Sequence, residues 1–205
     1  MNDKIFFIVG CGRSGTTAMA KILDTATNAQ VFSEQHPKLA VQSRIHYLYG
    51  MNKPEEYIEA SKRPVIEKCL KEKEKFGDKN FNYLFFLREL LSVFDCKFIF
   101  MYRDGREVVR SMEESNYYRN NLYHFYEDRN EDFVTQPEDD LWDFGRLRPK
   151  FDDDVFDKWK CMSTFEKLCW HWNKYNELLM EEIKGIQDSR HLILNMNEAK
   201  VEDIH

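Results

Sequence analysis

The chain lacks any hydrophobic run long enough to cross a membrane. Its longest apolar runs lie around residues 5–9, 84–87 and 98–101, whereas a transmembrane helix needs about 20 such residues. The mean hydropathy is −0.65, and no signal peptide precedes the first apolar run, which begins almost at Met1. We therefore expect a cytoplasmic protein without a transmembrane segment.

Paired cysteines are also missing. The five cysteines are odd in number and form no C-x-x-C pair, which suits a reducing compartment better than a disulfide scaffold. Cys169 and His171 lie close in sequence, but two ligands do not make a metal site. We expect no bound metal.

An excess of positive charge is absent as well. The chain has 36 acidic against 30 basic residues and a net charge of −6, which argues against a nucleic-acid partner. Residues 127–157 hold twelve acidic and four basic side chains. We interpret them either as a surface insertion or lid over the active-site side, or as a solvated acidic loop without a function. No linker or repeat divides residues 1–205, so we expect a single domain.

The most informative stretch covers residues 5–17. Its apolar, β-branched beginning over 5–9 predicts a buried strand. Gly10, Gly12 and Gly15 then let the backbone turn tightly, with its N–H groups converging on an anion. An amphipathic helix follows, and its positive N-terminal end points at the same place. The alternative is an ordinary glycine-rich turn between a strand and a helix.

This loop nearly matches the Walker A pattern but lacks the Walker lysine. Gly10 and Gly15 have the right spacing, yet Thr16 stands at the lysine position and the basic group is Arg13. The Walker lysine serves the β- and γ-phosphates of a nucleotide held with Mg²⁺. A P-loop kinase or NTPase therefore stays an alternative, but the missing lysine favours a different phosphate-containing donor.

A second motif follows another apolar strand, predicted over 97–102. Arg103 lies at the carboxyl end of this strand, and Ser111 comes about two turns into the next helix. Ligands of open α/β sheets bind outside the carboxyl ends of the strands. Arg103 and Ser111 are therefore expected to face the same ligand as the glycine loop, although either alone could be a surface residue.

Together the two motifs resemble the nucleotide signatures of sulfotransferases that use 3′-phosphoadenosine 5′-phosphosulfate (PAPS), nearest to tyrosylprotein-type, carbohydrate-type and bacterial members. The resemblance implies a three-layer α/β/α fold with a central parallel sheet, as in P-loop NTPases. It also implies PAPS as sulfuryl donor, adenosine 3′,5′-bisphosphate (PAP) as product, and no metal. The loop would bind the 5′-phosphosulfate and the second motif the 3′-phosphate. The implied cofactor-binding residues are Gly12, Arg13, Ser14, Gly15, Thr16, Thr17, Arg103 and Ser111.

The resemblance further implies a general base and cations beside the transferring group. Glu34 follows a predicted strand over 31–33 and matches the glutamate base of tyrosylprotein-type members; His36 is a rival base, and a solvated loop glutamate is the alternative. Lys79 matches a lysine that supports the sulfuryl group, although the proline usual beside it is absent and a plain surface lysine is equally compatible. Arg13 would share this charge stabilisation.

The remaining elements are predicted from local patterns. Pro54 and Pro64 are each expected to begin a helix, residues 159–183 to form one long amphipathic helix, and residues 191–195 to form the last strand. Strands over 4–9, 31–33, 97–102 and 191–195 would make the parallel sheet.

The acceptor is expected to be a hydroxyl or amine of a carbohydrate or small metabolite. Only ten residues follow the last predicted strand, whereas relatives usually continue with further helices. A compact member, a truncated one and a non-catalytic PAP- or PAPS-binding protein therefore all stay open, as does the oligomeric state.

Overall fold

The computed structural model of the chain describes residues 4–115 and 146–198. Its centre is a sheet of five strands, all parallel, in the order β2-β3-β1-β4-β5. The parallel α/β fold expected from the sequence is thereby confirmed. The strands are β1 (Ile5–Gly10), β2 (Ala29–Ser33), β3 (Lys75–Lys79), β4 (Lys97–Tyr102) and β5 (His191–Asn195).

Helices connect these strands and cover both faces of the sheet. Short 3₁₀ turns lie at Phe81–Phe86, Trp159–Cys161 and Asp188–Arg190. Within the described ranges the α-helices are α1 (Thr16–Leu23), α2 (Ala40–Tyr49), α3 (Pro54–Cys69), α4 (Leu87–Val93), α5 (Gly105–Glu114) and α6 (Thr164–Ile183).

The two faces of the sheet are packed unequally. On one face α1 places Met19 and Ala20 against Ile8 and Met101. The opposite face carries the larger core, where α3 to α6 pack on aromatic side chains such as Phe7. Each fully buried phenylalanine of this kind stabilises the fold by about 1.5–3 kcal/mol. The loops that follow the parallel strands lead to helices on both faces, so these loops meet at the carboxyl ends of the strands.

One strand was not predicted. Residues 75–79 are not among the four strands expected from the sequence, but they form β3, between β2 and β1. Phe76 is the one apolar side chain in this strand, because Gly77 makes room for the ring of Phe6 and Asp78 is buried beside the ammonium of Lys62. The hydrophobic pattern of a central strand is therefore missing.

Two helix boundaries were also wrong. Pro64 lies on the exposed side inside the single helix α3 and does not begin a second helix. The predicted helix over 159–183 begins only at Thr164, because Ser163 and Glu166 form a capping box that fixes the start.

No helix in the described part of the chain is long and apolar enough to span a membrane. Of the acidic segment 127–157, residues 127–145 lie outside the described residues, and residues 146–157 are described.

Candidate active site at the carboxyl edge of the sheet

The predicted site residues follow the carboxyl ends of neighbouring strands. Ser33 of β2 pairs in register with Lys79 of β3, and Gly10 of β1 pairs with Met101 of β4. Neighbouring strands lie about 4.8 Å apart, so the four strand ends form one continuous edge. The edge brings Glu34, Lys79, the glycine loop and Arg103 to the same side of the sheet, as expected of an α/β ligand site.

The glycine loop ends in an open helix terminus. Arg13 and Gly15 have left-handed φ angles of 70° and 89°, a geometry that turns backbone N–H groups toward a common centre. Helix α1 begins at Thr16, and no side chain of the described residues caps it. Its first-turn N–H groups, which lack intrahelical partners, can therefore bind an anion.

The loop side chains divide into inward and outward groups. Ser14 is buried, and both its N–H and its hydroxyl donate to the carbonyl of Cys11. Thr16 is buried, whereas Arg13 and Thr17 are exposed. Ser14 thus holds the loop together with both donors, and its predicted contact with a ligand stays a prediction.

Arg13 joins the two motifs that the sequence placed nearly a hundred residues apart. Its Nε donates to Ser111 Oγ at 2.9 Å. The loop arginine and the serine of α5 therefore lie at hydrogen-bonding distance, as a single ligand that contacts both motifs requires.

Arg103, which lies between β4 and α5, is held by an acidic partner in the first turn of α5. Its Nε and Nη2 lie 2.7 and 2.6 Å from Glu107 Oε2, and Asn197 donates to the same oxygen at 3.1 Å. The hydrogen bonds from Asn197 and Arg103 lower the pKa of Glu107. Because a guanidinium has five N–H donors, Arg103 keeps donors for an anion while Glu107 orients it.

Glu34 and Lys79 form a direct contact across β2 and β3. Lys79 Nζ lies 2.7 Å from Glu34 Oε1, and the Glu34 N–H donates to the Lys79 carbonyl at 2.7 Å. The Glu34 side chain is 26% exposed and the Lys79 side chain is 9% exposed. The carboxylate is therefore reachable, while the ammonium is nearly enclosed. His36, the rival base, is exposed. Glu34 and Lys79, two of the three predicted catalytic residues, thus lie together, at the end of the sheet where the glycine loop begins.

The segment after β5 also contributes to the site, which the sequence analysis missed. The Met196 side chain packs on Gly15, where a built β-carbon would lie 2.8 Å from its sulfur. Asn197 Oδ1 accepts from the Asp104 N–H at 3.0 Å. Residues beyond the last strand therefore contact both motifs, a role that no local pattern signals.

The described residues bring cationic groups and N–H donors to one edge of the sheet. An uncapped helix terminus lies beside Arg13, and Arg13 is joined to Ser111 by a hydrogen bond. In the described residues no cluster of three or more His, Cys, Asp or Glu side chains could hold a metal ion. The cationic and N–H donor set matches phosphate and sulfate groups.

The fold and site define an α/β protein with a glycine-rich loop at the carboxyl edge of a parallel sheet. The model of the sulfotransferase family matches residues 6–158, so the chain belongs to this family. Its fold is similar to the crystal structure of a sulfotransferase from Alicyclobacillus acidocaldarius, with a TM-score of 0.53 over 97% of this chain and 75% of that chain. At 14% sequence identity this similarity establishes the fold alone. No curated protein matches the chain in sequence.

Proposed function

We propose that this sulfotransferase moves a sulfuryl group from PAPS to a hydroxyl or amine of a carbohydrate or small metabolite. The observation that carries the proposal is the 2.7 Å contact between Lys79 and Glu34 on the edge that also presents the glycine loop. A carboxylate that can accept a proton, next to a cation that can stabilise negative charge, is what transfer to a hydroxyl requires.

Each residue has a separate task in this proposal. PAPS, when bound, supplies the sulfuryl group and leaves as PAP. Arg13 and the first N–H groups of α1 bind the phosphosulfate, and Arg103 and Ser111 bind the 3′-phosphate. Glu34 takes the proton of the acceptor, while Lys79 stabilises the negative charge that develops during transfer.

The residues of the glycine loop favour one nucleotide over another as the donor. Thr16 replaces the lysine that an ATP-dependent P-loop protein uses on the β- and γ-phosphates. Arg103 provides a second cationic site, which suits a nucleotide that carries a further phosphate away from the first. Both features favour PAPS over ATP, and membership of the sulfotransferase family supports the same choice.

Calorimetric titration in EDTA tests the donor directly. We expect micromolar binding of PAP and no binding of ATP. Arg103→Ala should lose this binding, because it removes a charge-assisted contact worth roughly 1.5–3 kcal/mol. Arg106→Ala is the matched control, since Arg106 lies in the same turn, is exposed and pairs with Asp104. Binding of ATP only with Mg²⁺ would instead establish a P-loop NTPase.

Transfer from ³⁵S-labelled PAPS tests catalysis. The acceptors are 4-nitrophenol, N-acetylglucosamine, glucosamine and a tyrosine peptide. Glu34→Gln should lower turnover about 10²–10⁴-fold with PAP affinity unchanged, while His36→Gln should keep turnover. The reverse result would make His36 the base, and PAP binding without transfer to any acceptor would favour a non-catalytic binding protein.

A further inference from the structure

The turn that presents Glu34 is restrained by buried polar side chains from elsewhere in the chain. This turn, residues 34–39, leads from β2 to α2 and is called the Glu34 turn below. Glu34 has a left-handed φ of 60°, a conformation that a residue with a side chain keeps only where its surroundings enforce it. The side chains that hold the turn in this conformation come from α3, from β3 and from the residues that follow β3.

Lys62 of α3 holds the backbone carbonyls of the turn. Its side chain is fully buried, and its Nζ donates to the carbonyls of Gln35 at 2.7 Å and Pro37 at 2.9 Å. One ammonium group therefore ties two points of the Glu34 turn to α3.

Asp78 of β3 holds the N–H of the same turn. Its Oδ1 accepts from the Gln35 N–H at 3.1 Å, its Oδ2 accepts from the Tyr83 hydroxyl, and Lys62 Nζ lies 3.8 Å from Oδ2. Successive side chains of a strand point to opposite faces. Asp78 therefore restrains the backbone next to Glu34 from one face of β3, while Lys79 contacts the Glu34 carboxylate from the other.

A third restraint closes the far end of the turn. The Lys38 carbonyl accepts from Asn80 Nδ2 at 2.7 Å and from Asn82 Nδ2 at 3.2 Å. Both asparagines are buried and directly follow β3. The Glu34 turn is thus fixed along its length by side chains that come from α3, from β3 and from the residues that follow β3.

We propose that Lys62 and Asp78 are positioning residues, which hold the Glu34 turn so that the Glu34 carboxylate meets Lys79 at the edge of the sheet. This inference rests on the proposed function, in which Glu34 takes the acceptor proton. The desolvation penalty of two fully buried opposite charges can exceed what their attraction returns, and a well-packed apolar pair is often at least as stable. Lys62 and Asp78 are used here because they make directed hydrogen bonds to the Glu34 turn, which apolar side chains do not make.

Two variants test the restraint without leaving a buried charge alone. Lys62→Met/Asp78→Asn removes both charges, because removing only one would strongly destabilise the fold. Tyr83→Phe removes only the hydroxyl that donates to Asp78. Its matched control is Tyr175→Phe, since Tyr175 is equally buried and its hydroxyl donates at 2.7 Å to the Phe81 carbonyl instead of to Asp78.

Hydrogen exchange and steady-state kinetics provide independent readouts. In the double variant we expect faster deuterium uptake over residues 34–39, a 10- to 100-fold lower kcat, and unchanged PAP affinity and acceptor KM. In the Glu34→Gln background the double variant should lower kcat no further, because its effect runs through Glu34. Tyr83→Phe should lower kcat several-fold, and Tyr175→Phe should lower the melting temperature alone.

Unchanged uptake over residues 34–39 overturns the inference whatever the activity. An unchanged kcat, or a loss that adds to that of Glu34→Gln, overturns it as well, since a merely structural role predicts additivity. If the wild type binds no PAP and transfers no sulfuryl group while uptake still rises in the double variant, the proposed function fails and the restraint of the turn stands.

Discussion

Lys79 Nζ donates to Glu34 Oε1 at 2.7 Å, across the carboxyl ends of β3 and β2. The backbones of the same two residues are also joined, by the hydrogen bond from the Glu34 N–H to the Lys79 carbonyl. The backbones of Glu34 and Lys79 therefore cannot separate without breaking the end of the β2–β3 ladder, which keeps the two side chains within reach of each other. This double connection gives a proton acceptor and a cation a fixed relative position.

Replacing Lys79 should impair catalysis more than nucleotide binding. We expect Lys79→Met to lower kcat about 10²–10³-fold, as does loss of a donor to developing negative charge, with PAP affinity within twofold of the wild type. Turnover of labelled PAPS and calorimetry measure the two effects. Lys75→Met is the control, because Lys75 is exposed at the opposite end of the same strand.

A loss of PAP affinity as large as the loss of kcat would instead make Lys79 a ligand of the nucleotide. Full turnover in Lys79→Met would leave it a structural partner of Glu34.

Most of the sheet was predictable because four of its strands carry ordinary signals. The runs that became β1 and β4 are apolar and β-branched or aromatic, as buried parallel strands require. β3 could not be recognised, since Asp78 and Lys79 occupy positions where such a strand usually has aliphatic residues. Its polar side chains are compatible with burial only through Lys62 and Glu34, which are distant in sequence.

The layout of the candidate site was predictable where a short motif marks it. Two motifs singled out the glycine loop, Arg103 and Ser111; the sheet brings the loop and Arg103 to one edge, and Ser111 contacts Arg13 of the loop. The Arg13–Ser111 contact, the role of Asn197 and the buried Lys62–Asp78 pair depend on which strands become neighbours. No local propensity contains that information.

Gly10 is required by the close approach of β4. A β-carbon on Gly10 would clash with the carbonyl oxygen of Met101 and lie 2.9 Å from Thr16 Cγ2. Because backbone must shift to relieve this contact, Gly10→Ala should destabilise the fold by at least about 1–3 kcal/mol. Urea unfolding measures the loss. Gly185→Ala is the control, since its β-carbon would meet only an ordinary 3.5 Å contact, and an equal loss in both would contradict the explanation.

Cys11 should resist alkylation although it lies in the glycine loop. Its thiol is fully buried, and burial raises its pKa well above the ordinary value, so little reactive thiolate is present. Exposed Cys161 should react with iodoacetamide first. Peptide mass spectrometry over time gives the order, and Cys11 should react at the rate of global unfolding. Rapid labelling of Cys11 in the folded protein would show that the loop opens.

Buried His171 should make the protein less stable in mild acid. Burial, then the positive charges of Arg146, Arg148 and Arg44, lower its pKa from 6.5 to about 3. Between these two values the unfolded chain binds a proton that the folded chain does not, so the free energy of unfolding falls as the pH falls. From pH 7 to pH 5 the contribution of this one group is about 2 kcal/mol.

The variant His171→Phe keeps an aromatic ring in the core and removes the titrating group. It should lose less free energy of unfolding between pH 7 and pH 5 than the wild type, by about that 2 kcal/mol, whatever its stability at pH 7. Urea unfolding at both pH values measures the difference. Equal losses in the two proteins would mean that the pKa of His171 is the same in the folded and unfolded states, because only a difference in proton binding between the two states makes stability depend on pH.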